Sequence, residues 1–314
     1  MSFGIRGFLS PAIRYIFANQ NIDESNLLEV RLRINQPVMM LYTHGEYILS
    51  NNTDSEYIVR AEDIRATLDL VSNYSLYAYE QEIKQGYITV KGGHRVGFTG
   101  QVVMEDGRIK TVKHISFLNI RVAHEVKGCG LKLLPYVIDK GRVLSSLIVS
   151  PPGCGKTTLL RDVVRLLSTG TTYLKGVNVG VVDERSELAA CHMGVPQNEL
   201  GLRTDVLDAC PKSEGMLMLL RSMSPKVIAV DEIGSREDVE AISYVINSGC
   251  SIFATIHGAS VDDIRTRPVL RKLVEERVFE RYIVLDDKNG VGNIVNIFDE
   301  RGNELYMPLL SVAN

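Results

Sequence analysis

The run from Ser150 to Thr158, SPPGCGKTT, constrains the fold of this chain more than any other part of its sequence. It lies between the apolar segment Leu147–Val149 and the segment Thr158–Ser168, whose apolar residues recur at helical spacing. A phosphate chain needs several backbone N–H groups that point inward, and a loop must contain glycine to curl tightly enough to supply them. The run therefore predicts a buried strand, a phosphate-binding loop and a helix that begins at the loop.

The residue types in this loop fit ATP and Mg²⁺. Lys156 is expected to bridge the β- and γ-phosphate oxygens, and the Thr157 hydroxyl is expected to bind Mg²⁺. Ser150 stands where the consensus of phosphate-binding loops has Gly or Ala. Because serine is also small, the run still fits this consensus. The alternative, a turn rich in glycine and proline without function, fits poorly between a strand and a helix. The predicted cofactor-binding residues are Pro152, Gly153, Cys154, Gly155, Lys156, Thr157 and Thr158.

Two acids follow a second apolar strand, Val227–Val230, about 75 residues after the loop. We predict that this strand lies beside the phosphate-loop strand, with Asp231 as a metal ligand and Glu232 as the general base that polarises water. A strand-terminal Asp that only caps the next helix is the structural alternative. The catalytic interpretation depends on the acid pair occurring together with the phosphate loop, since neither acid alone would carry it.

Further polar residues come at the predicted ends of two other strands. Asp183 and Glu184 follow Val177–Val182, and His257 follows Ile252–Ile256. The carboxyl ends of parallel strands line the ligand crevice of such sheets, so these side chains are expected to face the phosphates. His257 is expected to hydrogen-bond Glu232 or the γ-phosphate. Placement alone leaves open that they are merely satisfied polar residues at strand ends.

Composition and periodicity predict two domains in 314 residues, of which 45% are hydrophobic and 23% charged. We predict an α+β domain at 1–127, a linker at 128–143 and an α/β domain with a mainly parallel sheet at 144–314. In the first domain, turn residues predict a hairpin at Gly92–Gly93 and a further turn at Asp106–Gly107. In the second, we predict one helix over 261–278 and, at the end of the sheet, an antiparallel hairpin that turns at 287–290. No apolar stretch approaches the roughly 18 residues of a membrane span. The five cysteines form no CxxC pair, which is typical of reduced thiols and predicts a cytoplasmic protein.

The interval Lys84–Lys127 is basic although the chain has a net charge of −3. It holds eight Lys and Arg against three acids. This surface could dock an acidic partner, bind nucleic acid or form part of a neighbouring subunit's nucleotide site. The turn Gly92–Arg95 resembles a backbone-clamping GXXG loop only in part, and such glycines usually serve a hairpin turn. Nucleic-acid binding is therefore not favoured.

The motifs together resemble a known superfamily. Their set of phosphate loop, Asp-Glu strand, acid pair and the run Ser248–Gly258 looks like the secretion ATPases of the type II and type IV systems. The chain more closely resembles one related family, the stage III AA proteins of endospore-forming bacteria, through Leu28–Ile34, Gly93–Gly100, Asn119–Ala123, Pro152–Thr158 and Arg203–Asp208. The resemblance implies a P-loop ATPase with a RecA-like domain, and a metal-binding role for Asp183 and catalytic roles for Glu184 and His257.

The same resemblance implies a homohexameric ring at the cytoplasmic face of a membrane-embedded channel between mother cell and forespore. Such rings use an arginine of a neighbouring subunit to stabilise transition-state charge. The candidates are Arg121, Arg203 and Arg221, each of which could equally form a surface ion pair. Asp231 stands where secretion ATPases often have glycine, so metal binding here looks more like that of other P-loop ATPases.

Two other functions are compatible with parts of this pattern. A RecA-like nucleic-acid motor or RNA-binding switch would use the basic interval, but the net charge and the His257 segment argue against it. A nucleotide-gated scaffold with negligible turnover would not need both Asp231 and Glu232.

Overall fold

The computed structural model divides the chain into two units: Met1–His124 with Ala190–Gln197, and Glu125–Ala189 with Asn198–Asn314. The structure describes residues 4–20, 22–51, 55–75, 79, 82–83, 86–286 and 292–306. Lys84 of the basic interval and the predicted turn at 287–290 lie outside these ranges.

The first unit has the predicted α+β architecture. Its six-stranded antiparallel sheet has the order β3-β2-β1-β6-β5-β4. The strands are β1 (Leu27–Arg33), β2 (Met39–Tyr42), β3 (Gly45–Ile48), β4 (Tyr87–Thr89), β5 (Arg95–Glu105) and β6 (Arg108–Arg121). Among the described residues, the 3-10 helix Ile5–Phe8 and the α-helices Pro11–Asn19 and Ala61–Val71 pack with it. The hairpins predicted at Gly92–Gly93 and at Asp106–Gly107 are both present.

Polar contacts join the two α-helices of this unit. Ser10 caps Pro11–Asn19, where its hydroxyl accepts a hydrogen bond from Ile13 N–H and donates one of 2.6 Å to Asp63. Asp63 lies in the first turn of the second helix, where a carboxylate also suits the helix dipole. Because Ser10 and Asp63 are both buried, this pair fixes how the helices meet over the apolar core.

The second unit is built on an eight-stranded sheet with the order β11-β10-β12-β13-β9-β14-β15-β16. The six strands from β11 to β14 are parallel, and β15 and β16 extend the sheet in antiparallel fashion, as predicted for the C-terminal hairpin. The strands are β9 (Ser146–Ser150), β10 (Val179–Asp183), β11 (Thr204–Asp208), β12 (Val227–Val230), β13 (Ser251–His257), β14 (Arg281–Asp286), β15 (Asn293–Asp299) and β16 (Glu304–Tyr306).

Two details of this sheet differ from the sequence prediction. The acid-pair strand β12 is not beside the phosphate-loop strand β9, because β13 pairs with both and lies between them. The segment 261–278, predicted as one helix, forms two helices, Val261–Thr266 and Pro268–Glu275. Pro268 disfavours helical backbone at Arg267, which is extended with φ of −91° and ψ of 115°. The remaining long helices are Lys156–Thr169, Lys212–Ser222 and Arg236–Asn247.

The chain between residues 125 and 143 is ordered rather than a bare connector. It forms the 3-10 helix Cys129–Lys132, the helical turn Leu134–Val137 and the short strands β7 (Ile138–Asp139) and β8 (Arg142–Val143). Leu133, Leu134, Val137 and Val143 are buried, and Gly130 N–H donates a hydrogen bond of 2.8 Å to Asp162. These residues belong to the second unit, whereas Ala190–Gln197, within the predicted C-terminal domain, belongs to the first.

Candidate active site

The phosphate loop has the conformation that its glycines allow. Strand β9 is fully buried, and the helix that follows begins at Lys156 with Gly155 as its N-cap. Gly153 and Gly155 have φ of +80° and +86°, the left-handed region that favours glycine. The first N–H groups of a helix lack partners within it, and the helix dipole adds positive potential there. This loop is therefore a ready anion site.

The two residues after the loop reach the acid pair. Thr157 Oγ1 donates a hydrogen bond of 2.6 Å to Asp231 Oδ2, and the buried Lys156 Nζ lies 3.0 Å from Glu232 Oε1. The structure thus brings together two pairs of adjacent residues, Lys156–Thr157 and Asp231–Glu232, which are about 75 positions apart in the sequence. Strand β13 separates β9 from β12, but both strands end at the same edge of the sheet.

Thr255, near the end of β13, joins the two acids. Its hydroxyl donates a hydrogen bond to Asp231 Oδ1 and accepts one of 2.8 Å from Glu232 N–H. Glu232 has φ of +55°, which is uncommon outside glycine, asparagine and aspartate. Such a conformation persists where surrounding contacts hold it, and Thr255 supplies one of them.

The two acids have opposite pKa shifts. Burial raises the pKa of Asp231, although the hydrogen bonds from Thr157 and Thr255 oppose the rise. Burial would also raise the pKa of Glu232, but the hydrogen bond and charge of Lys156 outweigh it, with help from His257 and Arg185, and that pKa is lowered. Glu232 is therefore the carboxylate that its surroundings hold ionised.

His257 and Arg185 complete the surroundings of Glu232. His257 Nε2 lies 2.9 Å from Glu232 Oε1, the first of its two predicted partners. Arg185 Nη1 donates a hydrogen bond of 3.0 Å to the other oxygen. Nδ1 of His257 is buried and has no hydrogen-bond partner among the described residues. The Glu232 carboxylate is therefore shared among three nitrogen groups.

Asp183 organises the loop that follows β10. Its two oxygens accept hydrogen bonds of 2.7 Å from Glu187 N–H and Ala189 N–H, and burial raises its pKa. Arg161, on the phosphate-loop helix, donates to the backbone oxygens of Glu187 and Leu188 in the same loop. Glu184 pairs with Lys212 at the start of the next helix. Both acids thus lie at the predicted edge of the sheet, but their side chains are engaged in local contacts.

Of the three candidate arginines, Arg203 and Arg221 belong to the second unit and lie away from this group, whereas Arg121 belongs to the first unit. Arg203 precedes β11 at the opposite edge of the sheet, where Nη1 donates to Ser168 O at 2.9 Å. Ser168 is near the end of the phosphate-loop helix, which spans about 20 Å. Arg221 is exposed in the last turn of Lys212–Ser222, before β12. Arg121 belongs to the first unit and lies 3.4 Å from Glu29.

Sequence reasoning missed Thr255 and Arg185. A signal existed for Arg185, because it directly follows two acids at the end of a parallel strand, where the crevice was expected. Thr255 carries no such signal, since a threonine inside an apolar strand is typical of β-structure in general. Its role depends on β13 lying between the other two strands.

In the first unit, the Gly92–Gly93 turn is covered by the protein itself. Gly92 N–H donates a hydrogen bond of 2.9 Å to Gln197 Oε1, and a Cβ on Gly93 would lie 3.2 Å from Ala190 Cβ. His94 is buried and its Nδ1 accepts a hydrogen bond of 3.0 Å from Ala123 N–H. These contacts explain the glycines structurally and leave no support for a nucleic-acid clamp.

The donor set fits a small divalent cation bound together with phosphate. The Thr157 hydroxyl and an Asp231 oxygen are 2.6 Å apart, close enough to be neighbouring ligands of one ion. Within the described ranges there is no cluster of three or more His, Cys, Asp or Glu that could hold a metal. Mg²⁺ typically needs only one or two protein carboxylates because phosphate oxygens and water supply its other ligands.

The sheet and the phosphate loop form a RecA-like α/β fold. The structure is similar to the ATPase DotB of Yersinia pseudotuberculosis, with a TM-score of 0.60 and 13% identity over 93% of this chain and 80% of that one. It is also similar to the pilus retraction motor PilT, with a TM-score of 0.58 and 15% identity over 86% of this chain and 77% of that one. At these identities the likeness concerns the fold.

The chain belongs to the family of sporulation stage III protein AA, whose profile matches residues 3–305. Stage III sporulation protein AA of Bacillus subtilis is 47% identical over 277 residues, which is 88% of each chain. A more distant relative is the protein SEEDLING PLASTID DEVELOPMENT 1 of Arabidopsis thaliana, 25% identical over 85% of this chain and 35% of its own length. The predicted family and fold are therefore confirmed. Within the described ranges, no helix is both long and apolar enough to cross a membrane.

Proposed function

We propose that this chain is a Mg²⁺-dependent ATPase of endospore formation. The observation that carries the proposal is the hydrogen-bonded group in which Thr157, Asp231, Thr255 and Glu232 connect the phosphate loop to the acid pair. A scaffold that only bound nucleotide would not need a second acid held ionised beside the lysine of the loop. The group supports phosphoryl transfer to water, which depends mainly on positioning and electrostatic stabilisation.

Each residue of the group has a proposed role. Lys156 and the backbone N–H groups of Gly153–Thr158 bind the phosphates, while Thr157 and Asp231 hold Mg²⁺, which neutralises phosphate charge when bound. Glu232 accepts the proton of the attacking water. Because the Lys156 ammonium lies 3.0 Å from Glu232, phosphate oxygens that draw the ammonium away release the carboxylate for that role.

The other predicted residues act around this centre. We propose that His257 orients Glu232 through their 2.9 Å contact. The contacts of Asp183 favour a positioning role over direct metal binding, because both of its oxygens hold the following loop. Glu184, paired with Lys212, is close in sequence to the same loop and is proposed to support it.

On the larger scale, we propose a homohexameric ring in the cytoplasm that works at a membrane-embedded channel between mother cell and forespore. Membership of the sporulation family and the fold shared with DotB and PilT support this setting. The ring would use Arg121, Arg203 or Arg221 in the site of a neighbouring subunit. Association with the membrane would come through protein partners.

Replacement of Glu232 by Gln tests the chemical part of the proposal. The variant keeps the shape of the side chain but removes its basicity, so turnover should fall by about 10²- to 10⁴-fold while ATP binding persists. The measurements are steady-state phosphate release and binding of a labelled ATP analogue. Glu240→Gln, an exposed change on the next helix, is the matched control. Unchanged hydrolysis by Glu232→Gln would refute the general-base role, and the same variant is suited to trapping partners from sporulating cells.

A further inference from the structure

A cavity lies in the same unit as the phosphate loop, at the opposite edge of the sheet. It has a volume of about 530 Å³ and is formed where the amino ends of several parallel strands meet. Lys226 directly precedes β12 at this edge, and Cys250 directly precedes β13. The phosphate loop follows the carboxyl end of β9, so a ligand here would not compete with nucleotide for space.

The walls of this cavity are mainly apolar. Val177 lies just before β10, Ile246 lies on the helix Arg236–Asn247, and Val278 lies between the helix Pro268–Glu275 and β14. All three line the cavity and are partly exposed. A volume between about 300 and 1,000 Å³ with apolar walls and a few polar groups is the usual form of a small-molecule site. The cavity is therefore suited to an apolar body rather than to an inorganic ion alone.

The charges around the cavity are unevenly distributed. Glu280 accepts two hydrogen bonds from Arg142, of 2.6 Å and 3.1 Å, and one of 2.9 Å from Ser145 N–H, so this acid is already neutralised. Lys226 and Arg277 also line the cavity, and neither forms a salt bridge within the described ranges. Two positive charges thus remain beside apolar walls.

Arg277 stands where a glycine would fit the backbone better. It follows the helix Pro268–Glu275 with φ of +52°, and its N–H donates to Val274 O at 3.2 Å. Helices that end in this way usually have glycine at the left-handed position, because glycine has no Cβ to be strained there. The chain instead carries a cation at this point of the cavity rim.

We propose that this cavity binds a small amphiphilic anion, whose head pairs with Lys226 and Arg277 and whose apolar body contacts Val177, Ile246 and Val278. The site is distinct from the one in the proposed function and does not depend on ATP hydrolysis. Both cations are needed because a single exposed ion pair contributes little to affinity.

The test uses 8-anilinonaphthalene-1-sulfonate, an apolar sulfonate whose fluorescence rises in apolar sites, with the full chain first without nucleotide and then with Mg²⁺ and ATP added to saturation. We expect saturable binding with one site per chain. Octanoate should displace the probe, whereas octan-1-ol, which has the same chain length without the charge, should not. Displacement by both, displacement by ATP, or binding that does not saturate would overturn the proposal.

Two variants and a control connect the binding to the named residues. Lys226→Glu should weaken probe binding about tenfold. Arg277→Gly should weaken it about fivefold without lowering thermal stability, because glycine relieves the strained backbone. Arg271→Glu, at an exposed position on the helix before Arg277, should leave probe binding unchanged. Equal affinity of all three variants and the parent chain would exclude this cavity as the site.

Discussion

Removal of the Thr255 hydroxyl should destabilise the second unit more than an ordinary change inside a strand. Thr255→Val keeps the shape of this fully buried side chain but leaves Asp231 Oδ1 without its donor and Glu232 N–H without its acceptor. A buried polar group that loses its partner costs about 1–3 kcal/mol. Two such groups, partly compensated by the more apolar valine, give a loss of about 3 kcal/mol in the free energy of unfolding.

This loss can be measured as a change in the melting temperature of the second unit. For a domain of this size, about 3 kcal/mol corresponds to a decrease of about 6–12 °C. Thr255→Ser, which keeps the hydroxyl and removes one methyl group, should lose only about 1 kcal/mol. The pKa of Asp231 should also rise further in Thr255→Val, since the hydrogen bond from Thr255 lowers it.

The melting temperatures of Thr255→Val and Thr255→Ser show whether the hydroxyl stabilises the acid pair. If Thr255→Val melts at the same temperature as Thr255→Ser or above it, the hydroxyl is not what holds the acid pair. The left-handed backbone of Glu232 would then have to be supported by its other contacts.

Two further predictions concern pH and packing. Because the pKa of Glu232 is lowered from 4.5, its carboxylate adds stability that is present above that value and is lost as the pH falls through the lowered pKa. The difference in unfolding free energy between the parent chain and Glu232→Gln should therefore shrink below about pH 4.5 in denaturant titrations, and a constant difference would contradict this. Gly93→Ala should cost about 1 kcal/mol more than Gly107→Ala, since both glycines have positive φ but a Cβ only at Gly93 meets Ala190. If urea unfolding gave equal losses of unfolding free energy for the two variants, the neighbours of Gly93 would accommodate a Cβ without a steric penalty.

The sequence predicts correctly those structural features that depend on residues close together in the chain. The buried strand, the glycine loop and the helix from Lys156 follow from apolar spacing and from the backbone freedom of Gly153 and Gly155. The hairpins of the first unit follow in the same way from their turn residues. The acid pair Asp231–Glu232 was recognisable because a wholly buried strand rarely ends in two carboxylates without a reason.

Features that depend on strand order were not predictable in this way. Strand β11 was missed because Thr204–Asp208 is only half-buried at the sheet edge and includes two aspartates, so it lacks an apolar run. The prediction that β12 lies beside β9 was wrong, since nothing in either strand shows that β13 intervenes. The contacts of Thr255 depend on that arrangement.

The arginine candidates illustrate a different limit. Arg185 follows the carboxyl end of a parallel strand, whereas Arg203 and Arg221 precede the amino ends of strands. In a parallel sheet these two kinds of position lie at opposite edges. Only Arg185 lies at the edge that carries the phosphate loop. Whether any arginine acts in a neighbouring subunit depends on the assembly and stays a prediction.

The interrupted course of the first unit affects the order in which the protein can fold during synthesis. Domains usually fold as units, beginning with the N-terminal one while the chain is still growing. Here Ala190 and Gln197, which follow the phosphate loop in the chain, contact the Gly92–Gly93 turn. The first unit therefore cannot be completed until the ribosome has also made β9, its loop and β10, which belong to the second unit.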